Sequence, residues 1–202
     1  MADRTRIIFA TGNEHKLKDI RAIMSGSGLE IVSMKEAGLD LDIVENGKTF
    51  EENALIKART VSEASGEIAM ADDSGLEIDY LGKEPGIYSA RYLGENTPHR
   101  LKNADLLCRL EGVPDEKRTA RFVCSVACVF PDGHSLTATE TMEGRIAHES
   151  RGTNGFGYDP IFYMPENGCT NGELDPVRKN EVSHRGKALR AMRKLLAEKE
   201  GI

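Results

Sequence analysis

The chain has 202 residues, 39% apolar and 30% charged, with 33 acidic against 27 basic side chains and a formal charge of −6. That length holds one or two domains with an ordinary core, the composition excludes a disordered chain, and no apolar run approaches the roughly 20 residues that cross a bilayer. The acidic balance argues against a protein that coats duplex nucleic acid, but not against a small anion met by local cations.

The opening MADRTRIIFATG carries no long apolar leader, so the cytoplasm is the expected location. Arg6 to Ala10 reads as a short buried strand. Asn13 suits the cap of a helix over about 14–25, whose Leu17, Ile20, Ile23 and Met24 share a face, with Gly26 and Gly28 at its end. LEIVSM then supplies a second strand, a β-α-β opening. Thr49-Phe-Glu-Glu52 has the capping-box pattern of a helix running to about residue 63. EIAMADDSGLEID is expected as strand, acidic turn, strand. Thr97 and Pro98 read as the cap and first residue of another helix.

Residues 118–130 and 135–149 alternate like two antiparallel strands around Pro131-Asp-Gly133. On the first, Cys124 and Cys128 share a face with Phe122, Val126 and Phe130. With no C-x-x-C among the four cysteines, they are expected as reduced packing residues. Residues 149–182 read as a long loop holding Phe156, Tyr158, Phe162 and Tyr163, and long ordered loops tend to carry function. Ser183 caps a last helix striped by Leu189, Met192, Leu195 and Leu196, with Gly201 at its end.

Four stretches carry chemistry. In FATGNEHK, unpaired N–H groups at a helix start, Gly12 and Lys16 have the makings of an anion seat; the plain alternative is a capped helix with a surface lysine. In MADDSG, two adjacent aspartates offer oxygen ligands to a hard cation, with Glu45 as a further carboxylate; the alternative is a polar turn. In GTNGFGYDPIF, glycines let a flat ligand approach Phe156 and Tyr158, and Asp159 is placed to accept from ring N–H groups; the alternative is an aromatic loop anchored in the core. In KNEVSHRGKAL, Lys179, His184 and Arg185 offer donors around a helix start; the alternative is a structural cap.

These stretches, in this order, together with TFEENALIKA and PGIYSARY, resemble the inosine triphosphate pyrophosphatase family, whose bacterial members act on dITP and XTP. The resemblance covers nearly the whole chain. It implies one α/β domain over residues 1–202: a long mixed sheet flanked by helices, with two lobes around a deep central cleft. It implies hydrolysis of dITP, ITP and XTP to the monophosphate and pyrophosphate, Mg²⁺ as cofactor, and a homodimer. It matches Thr11, Gly12, Asn13, Glu14, His15 and Lys16 to the triphosphate segment and Ser74 to a substrate contact. Phe156, Gly157, Tyr158 and Asp159 match the nucleotide loop, and Lys179, His184 and Arg185 match further nucleotide contacts. Glu45 and Asp73 match metal ligands, and Asp73 also the proton acceptor; in the mechanism expected on that basis, Asp72 or a second ion assists. Glu84 departs from the small residue common in relatives, and Asp175-Pro176 from a more helical stretch. Two other functions remain: a catalytically silent nucleotide-binding module, and a pyrophosphatase for other nucleotides such as modified pyrimidines.

Overall fold

The computed structural model describes residues 5–12 and 14–202, and for residues 14, 15, 19, 176, 177 and 180 the backbone alone. Asn13, expected as a cap and ligand contact, and the side chains of Glu14 and His15 therefore lie outside the described residues. Among those described, seven strands form one sheet in the order β2-β1-β3-β4-β5-β6-β7. They are β1 (Thr5–Phe9), β2 (Leu29–Ser33), β3 (Ala69–Ile78), β4 (Thr119–Val129), β5 (Ser135–Ile146), β6 (Phe162–Met164) and β7 (Cys169–Thr170). The sheet is mixed: β1 runs parallel to β2 and β3, while β5–β6 and β6–β7 are antiparallel. The helices are α1 (Glu14–Met24), α2 (Phe50–Ser65), α3 (His99–Arg109), α4 (Pro176–Val182) and α5 (His184–Lys199).

Three expectations change. First, β3 is a single ten-residue strand with no acidic turn, because Ala69, Met70 and Ala71 before the aspartates and Leu76 and Ile78 after them are all fully buried and draw the whole segment into the sheet. Second, Thr97 does not cap α3. Its hydroxyl donates back to the Leu93 carbonyl at 2.6 Å, and Pro98 holds the cap position. Third, residues 149–182 are not one loop but contain β6, β7 and α4, the last starting at the proline that looked unhelical. The Thr49 cap is present: its side chain accepts from the Glu52 N–H, while Glu52 takes the Lys48 N–H instead of the cap's own.

The chain divides into two compact units. The first comprises residues 1–73, 124–140 and 185–202. One of its cores joins Met70 and β4's Cys124, Val126 and Cys128 to Ile20 and Met24 of α1 and Leu189, Met192 and Leu196 of α5. Another joins Ala69 and Ala71 to Ala54, Ala58 and Val61 of α2. Burial pushes the Cys124 and Cys128 thiols up to about 12, and both are free, as expected of packing residues. The second unit comprises residues 74–123 and 141–184, with a core of Leu76, Ile78, Leu106, Phe122, Tyr158 and Phe162. There Arg118 is fully buried, its guanidinium donating to the Leu110, Ile146 and Ala147 carbonyls at 2.6, 2.8 and 2.6 Å. No described helix is long and apolar enough to cross a membrane.

Candidate active site

Strand alternation decides what the two aspartates do. Met70 faces the core of α1 and α5, and Ala69 and Ala71 face α2, so the period of two sends Asp72 to the α1/α5 side and Asp73 to the α2 side. Asp72 is 2% exposed and meets Lys16 Nζ at 3.3 Å and Arg185 Nε at 3.1 Å. Burial works against its charge, but Lys16, Arg185 and Lys57 outweigh it and hold the carboxyl far below the usual range. A carboxylate so enclosed has little room for a cation. Asp72, expected to assist the metal, is paired with Lys16 and Arg185.

Asp73 has a different setting. Asn53 and Lys57 lie one helical turn apart on α2, so they share a face and both reach this carboxylate. Asn53 Nδ2 donates to Oδ2 at 3.1 Å, and Lys57 Nζ lies 3.4 Å from Oδ1. Lys57 Nζ also donates to Glu45 at 3.0 Å. Glu45 and Asp73, 28 residues apart, are thus gathered on one nitrogen. The segment after Glu45 is pinned by Asn53, whose Oδ1 accepts the Gly47 N–H at 2.8 Å. A side chain on Gly47 would come within 2.7 Å of that oxygen, so only glycine fits. Burial raises the Asp73 carboxyl above its ordinary value against the pull of Lys57 and Asn53, with Glu45 and Asp72 adding to the rise. Lys57 is held above its own ordinary value: burial opposes its charge, but Asp73, Asp72 and Glu45 prevail.

This donor set suits a hard divalent cation, which takes one or two carboxylates and completes its shell with phosphate and water oxygens. Among the described residues no group of three or more His, Cys, Asp or Glu side chains is gathered as a closed metal cage. Thr11 and Gly12 follow β1. A Cβ on Gly12 would meet nothing within 4 Å, so nothing in the described fold demands the glycine.

In the second unit, residues 152–159 form a loop folded on its own carboxylate. Asp159 is 4% exposed and accepts from the Phe156 N–H at 2.7 Å, Lys179 Nζ at 2.5 Å and Asn171 Nδ2 at 2.6 Å. It is engaged by its own neighbours. A side chain on Gly155 would meet Asp159 and, at 2.6 Å, Lys179 Nζ, and its φ of +77° suits glycine. The aromatics separate as well. Tyr158 is core, its hydroxyl donating to the Ser89 carbonyl at 2.7 Å and its ring meeting the edge of His99. Phe156 is 51% exposed, with Lys179 Nζ 5.0 Å from its ring centroid. Of the two rings, Phe156 is the exposed one. Gly157 gives its carbonyl to Asn103 Nδ2 at 3.1 Å. His184 stacks on Phe122 at 4.8 Å, Ser74 lies half-buried on β3, and Glu84 pairs with Arg109 at 2.8 Å.

Sequence reading missed Asn53, Lys57, Asn103 and Asn171. The first two had a signal, the i, i+4 spacing in EENALIKA; Asn103 and Asn171 had none.

A model of the Ham1 family matches residues 7–195. The chain belongs to the Ham1 family. Among its relatives, a protein of Bacillus licheniformis named dITP/XTP pyrophosphatase is 46% identical over 94% of this chain and 97% of its own. One of the same name from Geobacter sulfurreducens is 48% identical over 92% and 93%. Among solved structures, a Ham1 protein from Coxiella burnetii superposes with a TM-score of 0.89 at 40% identity, covering 96% of this chain and 99% of that one. The Ham1 protein of Staphylococcus aureus gives 0.88 at 38% identity, with the same coverage. Ham1 membership accounts for the mixed, helix-flanked sheet.

Proposed function

We propose that the chain hydrolyses dITP, ITP and XTP to the monophosphate and pyrophosphate, removing them from the nucleotide pool. The observation that carries this is the meeting of Glu45 and Asp73 on Lys57, within 3.0 and 3.4 Å of one nitrogen. It stands in a chain whose near full-length relatives are named dITP/XTP pyrophosphatase.

Lys16 is assigned to the triphosphate, with Thr11, Gly12, Asn13, Glu14 and His15 in the same segment. Asp73 accepts the proton of the water that attacks the α-phosphorus, and burial makes it a stronger base than an ordinary aspartate. Lys57 keeps that carboxylate ionised and Asn53 fixes its orientation. Magnesium, held by Glu45 and Asp73, would supply charge stabilisation at the phosphate oxygens. No protein nucleophile is needed, since phosphoryl chemistry rests mainly on positioning and electrostatics.

The base is assigned to the exposed ring of Phe156, with Gly157, Tyr158, Asp159 and Ser74 shaping its surroundings. Hypoxanthine and xanthine present an acceptor carbonyl at position 6, where adenine presents a donor. Donors of His184 and Arg185 pair with the first kind, and a buried donor left unpaired costs about 1–3 kcal/mol. A homodimer and a cytoplasmic location belong to the same proposal.

The test is a panel of ITP, dITP, XTP, GTP, ATP and a modified pyrimidine triphosphate, read by pyrophosphate release. Preference for the first three is expected. Equal rates across the purines would refute the donor argument, a pyrimidine preference would reassign the substrate, and binding without turnover would make the chain a silent module.

A further inference from the structure

Asn171 follows β7 and is fully buried. Its backbone N–H donates to the Phe162 carbonyl at 2.8 Å, and its side-chain Nδ2 donates to Asp159 Oδ1 at 2.6 Å. The amide cannot be turned over, because that would set oxygen against oxygen, so the donor faces the carboxylate. Its own Oδ1 has no hydrogen-bond partner among the described residues. A buried acceptor without a donor opposes stability. An amide in this place is therefore poorly explained as core packing, and its one well-made contact is the one to Asp159.

That contact sits at the head of a short chain of bonds. Asp159 uses its other oxygen, Oδ2, to hold both the Phe156 N–H and Lys179 Nζ. With Oδ1 tied to Asn171, the carboxylate plane is fixed, and with it the peptide that carries the exposed ring and the ammonium that covers one face of it. The neighbouring backbone is stitched to the same strand end: the Gly172 N–H reaches the Asp159 carbonyl at 3.0 Å, and the Asn154 N–H reaches the Gly172 carbonyl at 2.8 Å.

We infer that Asn171 is a positioning residue for purine recognition, acting through Asp159 to hold Phe156 ready for the base without touching substrate. The inference rests on the assignment of Phe156 to the base. Loss of a pre-formed stacking face weakens binding of the nucleotide while leaving the reacting phosphate untouched, which is a KM effect.

The experiment compares Asn171→Ala, Asn171→Asp and Phe156→Ala by steady-state kinetics with ITP, and by inhibition with inorganic tripolyphosphate, which lacks a base. Asn171→Ala is expected to raise KM for ITP by about fivefold or more, with kcat within about threefold and tripolyphosphate inhibition unchanged. Asn171→Asp sets a second carboxylate against Asp159. Its KM, relative to wild type, is expected to grow with pH, because a shared proton at low pH restores the contact and full ionisation breaks it. A gap in packing would create no such dependence, so this variant decides the matter even where the alanine variant folds poorly. Wild-type KM in both Asn171 variants, or ITP and tripolyphosphate weakened equally, would overturn the inference while leaving the base assignment in place. Unchanged KM in Phe156→Ala would overturn the base assignment and this inference with it.

Discussion

Replacing Lys57 by methionine removes the one cation that, among the described residues, touches both Glu45 and Asp73, while keeping most of the length of the side chain. Lys57 Nζ stands 3.4 Å from Asp73 Oδ1, and the two side chains are 12% and 14% exposed. Coulomb's law at that separation gives about 1 kcal/mol with the dielectric of bulk water and about 5 kcal/mol at an effective value of about 20. Bound magnesium would share the task of keeping Asp73 ionised, so the lower figure is the better guide. The sign follows from the carboxyl already standing above its ordinary value through burial. Loss of Lys57 raises it further, and activity that needs the ionised form disappears earlier as pH falls. Profiles of kcat/KM for ITP against pH, read by pyrophosphate release, should show Lys57→Met losing about fivefold or more at the acidic end and recovering toward alkaline pH. Lys57→Arg, which keeps the charge, should follow the wild-type profile more closely. A constant ratio of variant to wild type across the whole range would refute the reasoning.

Asp73→Asn should lower kcat by about 10²-fold or more, the usual worth of a positioned base, with an unchanged circular dichroism spectrum. In labelled water the heavy oxygen should appear in the nucleoside monophosphate, and its appearance in pyrophosphate would exclude attack at the α-phosphorus. A chelator should abolish turnover and added magnesium restore it; full activity in excess chelator would remove the metal from the scheme. Arg118→Met takes a donor from three buried carbonyls, of which Leu110 keeps the Val113 N–H at 3.1 Å; the other two cost about 1–3 kcal/mol each before relaxation, so the melting temperature should drop by about 10 °C. A change of less than about 2 °C would show that the cavity readily admits water.

The α/β class and the main strands were legible because apolar alternation and helix-start signals are local. The Thr49 cap and the stripe of the last helix show this plainly. The acidic segment misled for a tertiary reason. Asp72 and Asp73 look like a turn on polarity alone, yet Lys16 and Arg185 on one face and Asn53 and Lys57 on the other satisfy both inside a strand. Those partners lie 20 or more residues away for all but Lys57, itself 16 away, and no window on the sequence contains them together. In the aromatic loop, composition could not separate Tyr158 from Phe156. The difference is a hydrogen bond from Tyr158 to Ser89, 69 residues earlier. Asn171 escaped notice because a buried asparagine has no period or motif of its own.

The two sulfurs on β4 have a chemical consequence. Burial pushes the Cys124 and Cys128 thiols up to about 12, so near pH 7 both hold the protonated form. Electrophiles and peroxides react with the thiolate, so both sulfurs stay silent toward them for as long as the fold is closed. Cys108, exposed on α3, and the half-buried Cys169 are left as the accessible thiols, and slow labelling beyond these two reports each opening of the interior.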